Sequence, residues 1–310
     1  TITALAKHLH FATIRRAAFD WLAEQVELHG PVLPRETLAR GFEFQGNRIP
    51  LVAPQGIFKP QAMELPLSIT TVTGGPYSDS FGPSILKYRY RGTDPKHRDN
   101  AGLRELIRRR EPLVYFHALM PGKYLAVWPV FVVGDDPATL TFSVAVDDAL
   151  SLTSGMDAHS LADDSLTAIR RGYVTTTVQR RIHQEAFRER VIDAYRQQCA
   201  FCRLKHTELL DAAHIVPDSD PEGEPIVSNG ISLCKLHHAA FDRFFLSVRP
   251  DYVIEIRRDV LLETDGPMLK HGLQGMHGQR IQLPNRDALK PDAKLLHNRH
   301  QRFLELSHAS

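Results

Sequence analysis

The sequence predicts an α+β chain built as two dissimilar domains. Three observations predict it. Residues 50–150 break into short apolar runs separated by Gly and Pro, the texture of strands. Runs with helical spacing flank that region at 11–29 and 179–198. All three cysteines fall between Cys199 and Cys234, beside several of the sixteen histidines.

Size and composition bound the rest. A chain of 310 residues has room for two domains, at roughly 100–200 residues each. Apolar residues make up 43% and charged residues 24%, which argues against a disordered or fibrous chain. No stretch approaches the roughly 20 apolar residues that span a bilayer. The first 30 residues lack a signal-peptide profile, so a cytoplasmic protein with no membrane partner is expected. The net charge is only +2, so any nucleic-acid role must rest on local basic patches. Three cysteines cannot form a paired disulfide framework.

Residues 11–29 (FATIRRAAFDWLAEQVELH) predict a helix that Gly30-Pro31 ends, and 34–40 predicts a short second one. Strands are expected in IPLVAP, LPLSITTV, ILKYRYRG, PLVYFHAL, KYLAVWPVFVV and TLTFSVAV, interrupted by a helix over 100–109. Residues 149–178 have few large apolar side chains and read as a linker with a short helix near 160–170. The expected domains are therefore 1–148 and 179–310. The second opens with a helix over 179–198, where Ile182, Phe187, Val191 and Tyr195 share a face. Its other face carries Arg180, Arg181, Arg188, Arg190 and Arg196. A hairpin-like stretch, a loop, a helix from near Cys234, a strand at 252–257 and a closing helix at 292–306 follow.

Cys199-Ala-Phe-Cys202 is a CxxC knuckle, and Cys234-Lys-Leu-His237 supplies a second pair. Four soft ligands suit tetrahedral Zn²⁺ in a closed structural site. A thioredoxin-like redox pair is the weaker alternative, since no βαβ pattern surrounds it.

The stretch CAFC…LLDAAHIVPDSD…SNGISLCKLHHAAFD resembles the HNH nuclease motif, the ββα-metal finger, in its zinc-stapled McrA-like form. The resemblance covers about residues 180–306. It implies a hairpin strand carrying the first His, a loop carrying Asn, and a helix carrying the last His. Phosphodiester hydrolysis needs a base for water and a cation on the developing charge. His214 is the candidate base, because imidazole titrates near neutral pH. Asn229 is the candidate that holds the hairpin and orients His214. His238 and Asp242 stand at i and i+4 and can chelate one divalent ion, with Mg²⁺ or Mn²⁺ favoured by oxygen ligands. Many family members carry a metal-binding Asp or His just before the base; here that position is Ala213, and Asp211 is the candidate substitute. His237 and His238 are adjacent, so on a helix they point about 100° apart, one toward each metal.

Residues 74–130 are similar to the SRA (SET- and RING-associated) domain, on the matches Gly74, Gly75, Tyr77, Asp79, Tyr90, Gly92, Asn100, Leu103, Pro112 and Tyr124. The resemblance implies a PUA-like curved sheet that flips a modified cytosine into a pocket. Such a pocket needs two aromatic faces and a carboxylate for the cytosine amine. Tyr77 and Tyr90 are the candidate faces, with Tyr88 the rival for the second, and Asp79 is the candidate acceptor. Pro76 is inserted before Tyr77, and the family's acidic position falls on Ser80, both departures from the pattern. Arg89, Arg91, Arg98, Arg180, Arg181 and Arg188 are the candidate phosphate contacts.

The function expected is a modification-dependent restriction endonuclease acting on double-stranded DNA with 5-methyl- or 5-hydroxymethylcytosine. Structural zinc and a catalytic Mg²⁺ or Mn²⁺ are its expected metals, with no small-molecule cofactor. A homodimer is expected because double-strand cleavage calls for two sites. One rival is an HNH nuclease whose front domain reads sequence, RNA or a phosphorothioate backbone. The other is a non-catalytic zinc module that only binds DNA.

Overall fold

A 28-residue helix, α1 (Ile2–His29), begins the chain. It ends where Gly30 adopts φ +83°, the left-handed conformation that glycine accepts without a steric penalty. The Gly30 amide donates back to the Val26 carbonyl at 2.9 Å. This is a computed structural model, and it describes residues 2–71, 80–81, 86–146, 164–264 and 266–308. The chain divides into two units, Thr1–Ile182 and His183–Ser310.

The first unit is a curled, mainly antiparallel sheet. Its strands are β1 (Val32–Pro34), β4 (Ile57–Phe58), β5 (Ser68–Thr70), β6 (Ser80–Phe81), β7 (Leu86–Arg89), β8 (Leu113–Met120), β9 (Lys123–Asp136) and β10 (Thr141–Val146). They lie in the order β4-β5-β8-β9-β10-β7-β6, and β1 pairs with the start of β9. Among the described residues only β5 and β8 run parallel. A separate hairpin joins β2 (Phe42–Phe44) to β3 (Asn47–Ile49) after the short helix α2 (Arg35–Arg40). The predicted strand at 49–54 is corrected: beyond Ile49 it makes no strand, although Leu51 and Val52 are buried.

Alternation along β8 and β9 gives the sheet two apolar faces. Val114, Phe116, Tyr124 and Ala126 pack with Ile14, Ala18 and Leu22 of α1. Leu113, Tyr115, Leu125 and Val127 pack with Leu103 and Leu106 of α3 (Arg98–Arg109). Asn100 is fully buried and holds the loop before its own helix: its amide accepts from the Arg91 N–H at 2.9 Å and donates to the Asp94 carbonyl at 2.9 Å.

The expected linker at 149–178 is corrected over its second part. Asp164–Ala194 is one continuous helix, α4. Residues 164–178 contain a glycine and four threonines but no proline, so nothing forbids a helix there. Residues 149–163 lie outside the described residues. The expected apolar face of this helix divides: Ile182 joins the core of the first unit, whereas Phe187, Val191 and Tyr195 join that of the second. Left-handed Arg196 and Gln197 end the turn, and the Gln197 amide returns to the Ile192 carbonyl at 2.9 Å.

The second unit pairs β11 (Leu210–His214) with β12 (Gly230–Cys234) and runs directly into α5 (Lys235–Asp242). A further hairpin, β13 (Leu246–Val248) with β14 (Ile254–Ile256), precedes the short helices α6 (Arg258–Leu262) and α7 (Pro267–Gly272). Helix α8 (Ala293–His308) closes the chain. Among the described residues no helix is long and apolar enough to cross a membrane.

Candidate active site and metal cluster

Two antiparallel strands and the helix that follows them set the site. Leu210 stands opposite Cys234, and His214 opposite Gly230. Gly230 is required by a close approach: a Cβ there would lie 2.5 Å from Val191 Cγ2 and 2.8 Å from Phe187 Cζ. The Phe187 ring stacks on the His214 imidazole, with centroids 4.0 Å apart and planes 15° apart. Asn229 is fully buried, and all its amide bonds go to backbone. It accepts from the Val216 N–H at 2.9 Å and donates to the carbonyls of Val216 and Glu224 at 3.0 Å each. Asn229 thus closes the loop that follows His214. The expected reach to the imidazole itself is corrected, because its polar atoms are engaged elsewhere.

Cys199, Cys202, Cys234 and His237 bring their ligand atoms within 4.8 Å of one another. Cys234 Sγ lies 3.1 Å from His237 Nδ1, Cys199 Sγ 3.5 Å from the same nitrogen, and Cys202 Sγ 3.9 Å from Cys234 Sγ. Tetrahedral Zn²⁺ with its usual bond lengths separates its ligands by about 3.5–3.8 Å, so the donor set and spacing fit the ion. The other ring nitrogen, Nε2, donates to the Gly272 carbonyl at 2.7 Å. That bond fixes the tautomer and leaves Nδ1 as the free donor atom. The cluster therefore joins the knuckle after α4, the end of β12 and the first turn of α5.

His238 turns away from the cluster. Its Nε2 lies 3.2 Å from Asp242 Oδ2, and its Nδ1 lies 3.3 Å from Asp211 Oδ2. The two carboxylates thus meet opposite edges of one ring. Asp211 is also 2.6 Å from Lys235 Nζ and 3.5 Å from Arg188 Nε. Asp211 as a ligand beside Asp242 is corrected on this ground: it faces the other nitrogen and is engaged by two cations. The Asp211 and Asp242 carboxylates raise the His238 pKa to about 9. Burial works to raise the Asp211 carboxyl, but the hydrogen bonds with His238 and Lys235 outweigh it and hold it at about 2. Ala213 is fully buried in the apolar core and carries no side-chain donor for a metal.

His214 is half-buried, and its Nε2 is buried without a hydrogen-bond partner among the described residues. Burial lowers its pKa from the ordinary imidazole value, and the charges of Asp218, Asp242 and His238 also act on it. His214 ends β11, and the His238–Asp242 pair stands on α5, which packs on the same hairpin. A neutral imidazole with an uncommitted nitrogen beside a His–carboxylate pair can take a proton from water. Sequence reasoning missed the roles of four residues: Phe187, Lys235, Asp218 and Arg299. Asp218 and Lys235 sit in the quoted motif and were legible; Phe187 was read only as part of an apolar helix face, and the packing of Arg299 has no local pattern.

In the first unit, Tyr77 and Asp79 lie outside the described residues. Tyr90 is 4% exposed and belongs to the core. Its ring packs 4.6 Å from that of Phe142, and its hydroxyl bonds to Asp135 and accepts from Arg104 at 3.0 Å. Its expected role as a face of a base pocket is corrected: the ring is buried and already packed against Phe142. The rival Tyr88 is buried as well. Among the expected phosphate contacts, Arg89, Arg98, Arg180 and Arg181 are exposed. Arg91 pairs with Asp99. Arg188 is corrected: it donates to the carbonyls of Thr207 and Leu210 at 2.9 and 2.8 Å and pairs with Glu189 at 2.8 Å, clipping α4 to β11.

Residues 199–249 match the family model of an HNH endonuclease. A comparison with curated proteins finds no match. Among solved structures, the chain is similar to the "Modification dependent TagI restriction endonuclease", at 15% identity over 77% of this chain and 81% of that one, with a TM-score of 0.28. It is also similar to the "Type IV phosphorothioation-dependent restriction endonuclease ScoMcrA", at 15% identity over 81% of this chain and 56% of that one, with a TM-score of 0.23. Scores this low establish no shared architecture. The family match falls on the ββα unit and its cysteine cluster, and with it the chain carries an HNH endonuclease domain, an enzyme module that hydrolyses nucleic-acid phosphodiesters.

Proposed function

We propose that this protein is a modification-dependent restriction endonuclease that hydrolyses double-stranded DNA. The observation that carries the reading is the grouping of His214, with its uncommitted buried nitrogen, and the His238–Asp242 pair on one ββα frame. His214 takes the proton from the attacking water. Its lowered pKa keeps it neutral at physiological pH. His238 Nε2 and Asp242 hold a divalent ion, Mg²⁺ or Mn²⁺ by the chemistry of the donors. Once bound, that ion supplies positive charge to the phosphorane and the departing 3′ oxygen. Asp211 accepts the Nδ1 proton of His238 and so aims Nε2 at the ion. Asn229 holds the loop that follows His214. Zinc in the Cys₃His cluster is structural, since all four donors come from protein.

The amino-terminal domain, 1–148, serves as the reader and 179–310 as the nuclease. Tyr77 and Asp79 remain the proposed contacts to a flipped 5-methyl- or 5-hydroxymethylcytosine. Arg89, Arg98, Arg180 and Arg181 are proposed to meet phosphates, and a homodimer supplies the second cut. A second reading gains from Tyr90: with that ring packed on Phe142, a two-sided aromatic pocket lacks one named face. A front domain that reads sequence or a phosphorothioate linkage needs no such sandwich. Cleavage of matched plasmids, unmodified, cytosine-methylated, hydroxymethylated and phosphorothioated, tests both. Preference for a modified cytosine supports the first reading, and preference for the phosphorothioate supports the second. Equal cutting of all four removes the targeting role, and no cutting with Mg²⁺ or Mn²⁺ removes the enzyme.

A further inference from the structure

Arg299 lies in α8, 57 positions after Asp242, yet its side chain reaches the centre of the nuclease unit. It is 8% exposed. Its Nη1 donates to the Ile215 carbonyl at 3.1 Å, and its Nη2 donates to the Phe241 carbonyl at 2.6 Å. Ile215 follows His214, and Phe241 precedes Asp242. The guanidinium also stacks on the Phe241 ring at 3.8 Å and the Phe244 ring at 4.6 Å.

A buried cation is costly unless its partners compensate for lost water. Here the compensation comes from two carbonyls and two ring faces; no carboxylate pairs with Arg299 directly among the described residues. An apolar side chain would fill the same space at lower cost. What it would lack is a rigid planar fork whose two arms are held at a fixed separation. We propose that Arg299 is a positioning residue: its guanidinium sets the distance between the strand end that carries His214 and the helix end that carries Asp242. This rests on the proposed roles of those two residues in phosphodiester hydrolysis. A cavity of about 130 Å³, lined in part by Ile215, Val216, Phe244, Arg299 and Arg302, adjoins the fork. A small cation from solvent has a path to the place of the lost side chain.

The test uses the full chain and the variants Arg299→Ala and Arg299→Lys, with zinc content and near-UV circular dichroism read alongside steady-state cleavage. A displacement on the ångström scale costs about 10²-fold in rate. Both variants should therefore lose kcat on that scale, with KM for DNA and zinc per chain unchanged. Millimolar guanidinium should restore part of the kcat of Arg299→Ala, and ammonium should not. Mn²⁺ affinity in the absence of DNA, read by electron paramagnetic resonance, should weaken in both. If Arg299→Ala fails to fold, Arg299→Lys alone decides. Wild-type kcat in the lysine variant, or a loss that merely follows the lost zinc and folded fraction, overturns the inference. Absence of cutting by the wild-type chain instead removes the reading beneath it.

Discussion

The two units spend their polar side chains differently. In the first, several of the described residues that the sequence singles out are closed on neighbours: Tyr90 with Asp135 and Arg104, Asn100 with the Arg91 loop, Arg91 with Asp99. In the second, the supporting groups Asn229 and Arg188 are equally closed, but His214 keeps an uncommitted nitrogen and Asp242 stays half exposed. The contrast teaches where to look for reaction chemistry. A polar residue with every bond made is holding the frame; one left short beside a charged pair is available to substrate.

The largest effect that sharpens this contrast is loss of the Cys₃His cluster. Cys234→Ala removes a donor that lies 3.1 Å from His237 Nδ1. Structural zinc contributes on the order of 10 kcal/mol to small domains, so the second unit should unfold. Limited proteolysis should then cut within 183–310 and spare the sheet of the first unit. Comparable loss of both units would break the comparison.

Next comes His214→Ala, which should lower the cleavage rate by about 10²–10⁴-fold with DNA affinity and thermal midpoint nearly unchanged. The pH profile refines the same point. Burial lowers the His214 pKa, so the base stays unprotonated to a more acidic pH than a free imidazole. The acid limb of the rate profile should therefore fall below about 6.5. An acid limb at or above that value would contradict a buried base.

The smallest effect tests the other unit. Tyr90→Phe removes a part-buried hydroxyl shared by Asp135 and Arg104. It should cost about 1 kcal/mol of stability and leave discrimination between modified and unmodified DNA intact. Loss of discrimination would return Tyr90 to a reading role.

Legibility in the sequence follows the same division. The second unit's frame was readable because short-range spacing fixes it: CxxC, the C-x-x-H pair and the i, i+4 pair His238/Asp242 all act within a turn or two of chain. Part of the strand pattern of the first unit was readable too: β5 and β7 through β10 fall in the predicted runs. Three things were not. Beyond the short helix read near 160–170, the helix over 171–178 was hidden by a threonine run and a glycine that composition alone reads as linker. The fate of Tyr90 depended on Phe142 and Arg104, which reach it only through sheet pairing and the packing of α3. Arg299 and Asp211 take their roles from partners 84 and 27 positions away, beyond any local pattern.

Two adjacent histidines offer the most direct test of the account. His237 faces the cysteines, and His238 faces Asp211 and Asp242. Zinc per chain and the rate of Mn²⁺-dependent plasmid cleavage should be measured together for His237→Ala and His238→Ala. The account predicts that His238→Ala keeps one zinc and its fold while losing cleavage, and that His237→Ala loses both zinc and fold. Full cleavage by His238→Ala, or loss of zinc from it, would contradict two separate metal roles on one helix.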